Sequence, residues 1–350
     1  MPFTLPHLRI GSLSIGFPVV QAALSGYSDW PMRVIARRLG ASYTVCEVLL
    51  DQFILNVTKG NKALRFLRVS DEEHPCGAQL MGAVPEDFPP AALKLVEAGF
   101  DVLDLNFACP VKKVLGRCRG GFLLTQPEIA LEIVARVRDA LPDRIPLTVK
   151  MRRGMDDSTQ SLENFFAIFD GSFHLGAAAV TVHGRTVRQR YEGKSDWDFL
   201  HEVKRHAGGK TVLGSGDLFT AQDCLDMLAR TSVDGVTVAR GAIGNPWIFQ
   251  RARALAEGRD VRPPSLREQR EVIAEHYRMA EQIYGPTRCG AIMRKFGIKY
   301  ARLHPRIEEV RKAFIAVARP GEWHPVLEKW YAEDSPGVWP ATVDDNFYSQ

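Results

Sequence analysis

Short runs of apolar residues alternate along the chain with longer segments in which apolar residues recur at helical spacing. A buried strand shows as a short continuous apolar run, whereas apolar positions three or four residues apart are typical of an amphipathic helix. Eight runs have the length of strands: Val19–Leu24, Tyr43–Leu49, Cys76–Met81, Val102–Phe107, Leu147–Met151, Ala178–His183, Thr211–Gly214 and Val236–Ala239. The pattern therefore predicts eight strands, each followed by a helix.

The segments between these runs predict helices with recognisable ends. Pro127 stands at a favoured first helical position, and Gly40 and Gly99 end two candidates. The predicted helices are Pro31–Gly40, Glu86–Ala98, Pro127–Ala140, Leu162–Leu175, Asp198–His206, Ala221–Ala229 and Pro246–Glu257. This alternation matches a (β/α)8 TIM barrel in count and size, but a doubly wound open sheet would show the same pattern. Periodicity alone leaves both folds open.

Pro263 and Pro264 interrupt the alternation. Ser265 and Glu268 then have the spacing of a capping box, which opens a helix. Two further helices are predicted over Ala291–Leu303 and Ile307–Ala318. We therefore predict a barrel domain over residues 1–258, a small helical domain over 265–320, and a tail over 321–350 without an assignable role.

Composition and charge add a candidate partner. The chain has 350 residues, of which 45% are hydrophobic and 25% charged, as in ordinary globular proteins. Residues 251–319 carry 16 Lys or Arg against 8 Asp or Glu. A basic segment of this kind suits a polyanion such as RNA, and it also suits a solvated helical surface, so charge alone does not decide.

Cysteine usage and hydropathy argue against several classes of protein. The six cysteines are scattered and include no C-x-x-C pair, which argues against a zinc site and a disulfide framework. No apolar run approaches the ~18 residues that suggest a membrane span, and the first residues lack the pattern of a secretory signal. We expect a cytoplasmic monomer that uses no metal and no membrane partner.

Side chains able to do chemistry follow the predicted strands at their carboxyl ends, where parallel α/β folds hold their active sites. Asn106 lies near the end of the fourth run and Cys109 follows it, Lys150 lies in the fifth, and His183 ends the sixth, with Arg185 two residues further on. A cysteine before a proline is more often an inert packing residue than a reactive one. The coincidence of these groups at successive strand ends is what favours a site.

The last two runs end in glycine-bearing turns, at 214–217 and 239–244. Bare backbone N–H groups there, with Arg240, could surround a phosphate at the place where TIM barrels often bind one. No G-x-G-x-x-G follows the first run, so a mononucleotide such as FMN fits better than a dinucleotide. A cysteine beside a flavin could give a proton while the flavin gives a hydride, which reduces a conjugated C=C bond.

Seven ordered segments resemble the tRNA-dihydrouridine synthase family. They are Leu24–Arg33, Gln79–Gly82, Asp104–Val114, Val149–Arg152, Val182–Thr186 with Gln189 and Tyr191, Ser215–Asp217 and Ala239–Phe249. The most specific are Asn-x-x-Cys-Pro-x-Lys-Lys-Val at 106–114 and His-Gly-Arg-Thr at 183–186. The resemblance implies an FMN-bound barrel joined to a helical tRNA-binding domain, and NADPH-dependent reduction of a tRNA uridine to 5,6-dihydrouridine.

The resemblance also implies residue roles. Cys109 would protonate C5 of the uracil while the reduced flavin delivers hydride to C6. The implied cofactor-binding residues are Ala23, Leu24, Ser25, Gln79, Lys150, His183, Ser215, Gly216, Asp217, Ala239 and Arg240. The implied uracil contacts are Asn106 and Arg185. In the basic segment, Arg294, Lys295 and Lys299 are the candidates for holding tRNA phosphates.

The chain departs from the family's pattern at 23–25, Ala108, Ser215 and Ala239. Ser215 stands where the family usually has Asn, which removes one side-chain contact to the flavin. Two other functions therefore stay open: an FMN-dependent reductase of free pyrimidines or other small enones, and a non-catalytic tRNA-binding protein. Comparison of turnover on free uracil and on tRNA distinguishes the reductase of small molecules from a tRNA-modifying enzyme. A test of flavin binding distinguishes the non-catalytic protein from both.

Overall fold

The computed structural model describes residues 5, 7–57, 60 and 65–340. The chain starts with an antiparallel hairpin of β1 (Leu8–Ile10) and β2 (Leu13–Gly16). Leu8, Ile10 and Ile15 of the hairpin are buried in a cluster with residues of the following strands. The hydrophobic pattern did not predict these strands because three or four residues are too few to show an alternation.

The predicted TIM barrel is confirmed. Eight parallel strands close in the order β10-β3-β4-β5-β6-β7-β8-β9. They are β3 (Val19–Gln21), β4 (Thr44–Leu50), β5 (Cys76–Met81), β6 (Val102–Phe107), β7 (Leu147–Arg152), β8 (Ala179–His183), β9 (Val212–Ser215) and β10 (Gly235–Val238). Pairing of the first barrel strand with the last, Val20 beside Thr237, excludes the open doubly wound sheet.

Helices surround the barrel, and all of them except the short α4 bury residues against it. They are α1 (Trp30–Arg38), α2 (Asp51–Asn56), α3 (Phe88–Glu97), α4 (Lys112–Leu115), α5 (Pro127–Ala140), α6 (Thr159–His174), α7 (Trp197–Ala207), α8 (Ala221–Thr231) and α9 (Ile248–Ala256). Local signals explain their starts: Asp29 accepts the Met32 N–H at the start of α1, and Pro127 opens α5. All seven helices predicted for this part of the chain are present.

A helical part follows the barrel. Its helices are α10 (Leu266–Tyr284), α11 (Pro286–Tyr300), α12 (Ile307–Ile315) and α13 (Trp323–Trp330). The predicted capping box is present, since the Ser265 hydroxyl accepts the Glu268 N–H and the Glu268 carboxylate accepts the Ser265 N–H. Among the described residues, no helix has both the length and the apolar character to cross a membrane.

The first part of the predicted tail packs onto this helical part. Trp323 is fully buried, with its ring 4.4 Å from that of Tyr277 and 5.7 Å from that of Phe314. Trp339 Nε1 donates to the Val261 carbonyl (3.1 Å). Residues 341–350 of the predicted tail lie outside the described residues.

Candidate active site

A cavity of about 590 Å³ opens at the carboxyl ends of the barrel strands. Its wall contains Cys109, Asn106 and all the residues predicted to bind a cofactor, which are Ala23, Leu24, Ser25, Gln79, Lys150, His183, Ser215, Gly216, Asp217, Ala239 and Arg240. Parallel strands end on one face of the barrel, so residues far apart in sequence meet there. The structure thus brings together groups that the sequence could only place strand by strand.

Cys109 follows β6 and is partly buried in this wall. Burial raises the pKa of its thiol, and the Val111 N–H and the Arg152 guanidinium oppose that shift only in part. Asn106 Oδ1 accepts the N–H groups of Ala108 (2.9 Å) and Cys109 (3.1 Å), which holds the turn after the strand. Cys109 is therefore a protonated thiol in a defined position at neutral pH, as a proton donor requires.

Two bases on neighbouring strands have lowered pKa values. Burial lowers the pKa of Lys150 to about 8, helped by the nearby Arg152 and opposed by Asp104. Burial, together with the surrounding cations, also holds the pKa of His183 well below its usual value. His183 Nδ1 accepts the Arg185 N–H (3.1 Å), so the proton of the neutral ring is on Nε2.

The turn after β9 is shaped for close approach to a ligand. Gly216 has φ +116° and Asp217 has φ +59°. A Cβ at position 216 would lie 2.3 Å from Ser195 Oγ, so a larger residue would displace this wall. The Arg240 guanidinium lies over the rings of Tyr191 (4.7 Å) and Phe219 (4.9 Å). Positive charge beside a glycine turn suits an anion such as phosphate.

Arg185, the other predicted uracil contact, is not among the residues that line the cavity. Its side chain is 1% exposed and forms an ion pair with Asp217, with Nη1 2.8 Å from Oδ1. Its Nη2 also donates to Asp217 Oδ2 (2.9 Å). In this structure Arg185 orients Asp217, which does line the cavity.

Comparison with known proteins identifies the family of this chain. The model for the family described as "Dihydrouridine synthase (Dus)" matches residues 20–334. The chain belongs to the dihydrouridine synthase family. It is 30% identical over 338 residues to "tRNA-dihydrouridine synthase B" of Xanthomonas axonopodis pv. citri, covering 96% of this chain and 99% of that one. It is 31% identical over 307 residues to a "Probable tRNA-dihydrouridine synthase" of Rickettsia conorii, covering 87% and 91%.

A solved structure shares the fold of this dihydrouridine synthase family member. A mutant of morphinone reductase in complex with tetrahydroNAD superposes with a TM-score of 0.52 at 16% identity. The match covers 71% of this chain and 90% of that one. At this identity the similarity shows the fold alone, which is the barrel described above.

The helix α11 of this family member carries three cations that were predicted to hold RNA. Two of them contact the barrel, and the third is exposed to solvent. Lys299 is 3% exposed and lines the cavity. Lys295 donates to the Gly26 carbonyl, in the turn after β3 that also lines the cavity. Arg294 is exposed and donates to the Val317 carbonyl (3.2 Å). Of the three cations predicted to hold RNA, the structure places one in the cavity, one at the junction and one on the surface.

Arg152 and Tyr191 line the cavity but were not among the predicted site residues. Arg152 donates to the carbonyls of Ala108 (2.9 Å), Thr186 (2.9 Å) and Arg190 (2.8 Å), and so ties the Cys109 turn to the loop after β8. Tyr191 is 49% exposed in the cavity wall. Both belong to segments that resemble the family, so that resemblance was the signal that could have identified them.

A metal centre has no support in the described part of the chain. There, no group of three or more His, Cys, Asp or Glu side chains is arranged to hold a metal ion. The polar groups of the cavity include amides, cations and a thiol, together with the carboxylates of Asp217 and Glu192.

Proposed function

We propose that this protein is a cytoplasmic, FMN-dependent enzyme that reduces a uridine of tRNA to 5,6-dihydrouridine with NADPH as the reductant. Membership of the dihydrouridine synthase family supports the reaction class. The observation that carries the proposal is the cavity in which a protonated Cys109 thiol meets glycine turns and cations suited to a phosphate.

The cavity fits FMN in size and chemistry. Its volume of about 590 Å³ is within the range for sites of small organic ligands. Gly241 after β10 lets the chain pack closely against the loop after β9, because a Cβ there would lie 2.2 Å from the Leu218 carbonyl oxygen. Thr237 Oγ1 is buried in this wall and has no hydrogen-bond partner among the described residues. Such a group is a ready donor or acceptor for a ligand.

The side chains of the cavity would have different roles in the reaction. Bound FMN, once reduced by NADPH, would supply the hydride. Cys109 would hold the proton for C5 of the uracil, since its raised thiol pKa keeps it protonated at neutral pH. Lys150 and the Nε2–H of His183 would donate hydrogen bonds to ligand acceptors, and Arg240 would offset phosphate charge.

The decisive experiment compares substrates. We expect the purified, FMN-loaded protein to oxidise NADPH in the presence of unmodified tRNA and to form dihydrouridine in it, detected by mass spectrometry of nucleosides. Free uracil at the same concentration should give little turnover. Equal or better turnover on free uracil would instead support a reductase of small pyrimidines, and absence of flavin binding would support a non-catalytic RNA-binding protein.

Flavin affinity is expected to depend on pH through Lys150. Its pKa of about 8 means that the ammonium carries its charge below that pH and loses it above. Because a neutral amine no longer attracts an anion, the dissociation constant of FMN should rise roughly three- to tenfold between about pH 7 and 9. Fluorescence titration measures this dissociation constant. Lys150→Met should bind FMN more weakly, and its dissociation constant should change less with pH. An equally steep profile in that variant would contradict the assignment.

Charge reversal on α11 is expected to weaken tRNA binding. Arg294→Glu removes an exposed cation on this helix. It should lower tRNA affinity and reduce the slope of log K against log salt by about one for each phosphate that the protein no longer neutralises. The matched control is Arg230→Glu on α8, which is also exposed but lies outside the basic segment. Equal effects of both substitutions would indicate a general charge effect rather than an RNA contact.

A further inference from the structure

A chain of side-chain hydrogen bonds runs inside the barrel from a buried carboxylate to the backbone of Cys109. Gln79 Nε2 donates to Asp104 Oδ2 (2.6 Å), and Asn106 Nδ2 donates to Gln79 Oε1 (2.6 Å). Asn106 Oδ1 then accepts the N–H groups of Ala108 and Cys109. All three side chains are buried, so bulk water does not compete for these bonds.

The two ends of the chain determine how both amides are oriented. At one end the Asp104 carboxylate accepts, and Thr148 Oγ1 also donates to it (2.6 Å). At the other end stand backbone N–H groups, which can only donate. Gln79 must therefore turn its nitrogen towards Asp104, and Asn106 must turn its nitrogen towards Gln79. If either amide were flipped, two acceptors or two donors would face each other in a buried site, and those hydrogen bonds would be lost.

This orientation decides what the amides offer to the cavity. Gln79 and Asn106 line the cavity, whereas Asp104 does not. Each amide nitrogen carries two hydrogens and uses one of them within the chain, so one N–H remains for a ligand. We propose that Asp104 is a positioning residue: through Gln79 and Asn106 it makes this wall a donor surface for carbonyl oxygens of the ligand, and it holds Cys109 in place.

The inference concerns the same site as the proposed function and relies on it for one readout, the rate of uridine reduction. Two substitutions separate the acceptor role of Asp104 from its charge. Asp104→Leu keeps the branched shape of the side chain, with two larger methyl groups in place of the oxygens, and removes the acceptor. Asp104→Asn removes the charge but keeps an oxygen for Gln79, while its nitrogen can donate to the Thr148 hydroxyl.

The kinetic expectation follows from this difference. Asp104→Leu should lower kcat roughly ten- to a hundredfold, because a buried amide loses its partner and the donor wall is no longer set. KM for tRNA should stay close to the wild-type value, whereas the melting temperature of Asp104→Leu should fall because buried donors lose their acceptor. Asp104→Asn should restore kcat to within about threefold of wild type. A merely structural role would lower stability in both variants and would not separate kcat from KM.

Alkylation of Cys109 by iodoacetamide is a readout that does not depend on turnover. In the resting protein, Asp104→Leu should raise the alkylation rate roughly threefold or more, because the Cys109 turn loses its fixed acceptor and opens more often. Asp104→Asn should keep the wild-type rate. The rate is followed by mass spectrometry with the modified residue localised to Cys109, since Cys118 is exposed and can react as well.

Two results would overturn the inference. The first is an equal loss of kcat in Asp104→Leu and Asp104→Asn, which would assign the effect to the charge of Asp104. The second is a Leu variant with unchanged kcat and alkylation. Inactivity of the wild-type protein on tRNA would instead refute the proposed function, and alkylation would still test Asp104.

A second pair of variants keeps the test valid if Asp104→Leu does not fold. Gln79→Glu sets an acceptor against the Asp104 carboxylate, and adding Asp104→Asn restores a donor at that contact. We expect Gln79→Glu to raise the alkylation rate of Cys109 and the double variant to return it towards wild type. Absence of that recovery would overturn the inference.

Discussion

Replacement of Cys109 by Ala is expected to lower the rate of uridine reduction by about 10²- to 10⁴-fold, the usual contribution of a positioned proton donor. The thiol lies in the cavity wall, and burial raises its pKa, so it is protonated and available at neutral pH. Alanine fills nearly the same space and leaves the cations and glycine turns of the site in place. Flavin affinity and tRNA affinity should therefore change little.

The measurement is a single-turnover reaction in which tRNA oxidises the reduced flavin, followed by flavin absorbance. Cys118→Ala is the matched control, because Cys118 is exposed on the same loop and does not line the cavity. Its rate should equal that of wild type. Full activity in the Cys109 variant, or the same loss in both variants, would exclude Cys109 as the proton donor.

The second large effect is expected at Gly244, where the barrel touches the helical part. Gly244 has φ +69°, and a Cβ there would lie 2.3 Å from the carbonyl carbon of Lys299 and 2.5 Å from the Tyr300 nitrogen. Backbone cannot rotate away as a side chain can, so α11 would have to move. We expect Gly244→Ala to reduce the free energy of unfolding by about 2–5 kcal/mol from overpacking and backbone strain.

The movement of α11 has a functional consequence. Lys299 lines the cavity, and Lys295 holds the Gly26 carbonyl of the turn after β3. Gly244→Ala should therefore weaken both tRNA binding and flavin binding, measured by titration beside chemical denaturation. Gly258→Ala is the matched control, since Gly258 has φ +73° but no atom of the described residues lies within 4 Å of an added Cβ. A loss of stability at 258 as large as that at 244 would contradict the steric explanation.

The local pattern was sufficient for much of the fold. Strands β5 and β6 and helix α5 have the predicted bounds, because continuous apolar runs and a first-turn proline are signals within a few residues. The hairpin β1–β2 was missed because its strands are too short to show a period. Closure of the barrel could not be predicted from alternation, since it depends on whether β10 pairs with β3, which is far away along the chain.

The candidate site, too, could be predicted from the sequence only in part. The sequence showed Asn106 near the end of an apolar run, Cys109 just after it, and the glycine turns after the last strands. The sequence could not show that Arg185 pairs with Asp217 instead of lining the cavity, or that Lys295 bonds to the Gly26 carbonyl. Those partners belong to other strands and helices, so their distances exist only in the folded chain.

The sequence by itself determined the alternation of strands and helices, the family and the residue types at each strand end. Only the tertiary structure decided that the strands close into a barrel, that the helix α11 completes the cavity wall, and that Asp104 connects through two amides to Cys109. The physical reason is the distance along the chain over which each effect acts. Propensity and periodicity act over a few residues, whereas closure, burial and the resulting pKa shifts depend on groups brought together from distant parts of the chain.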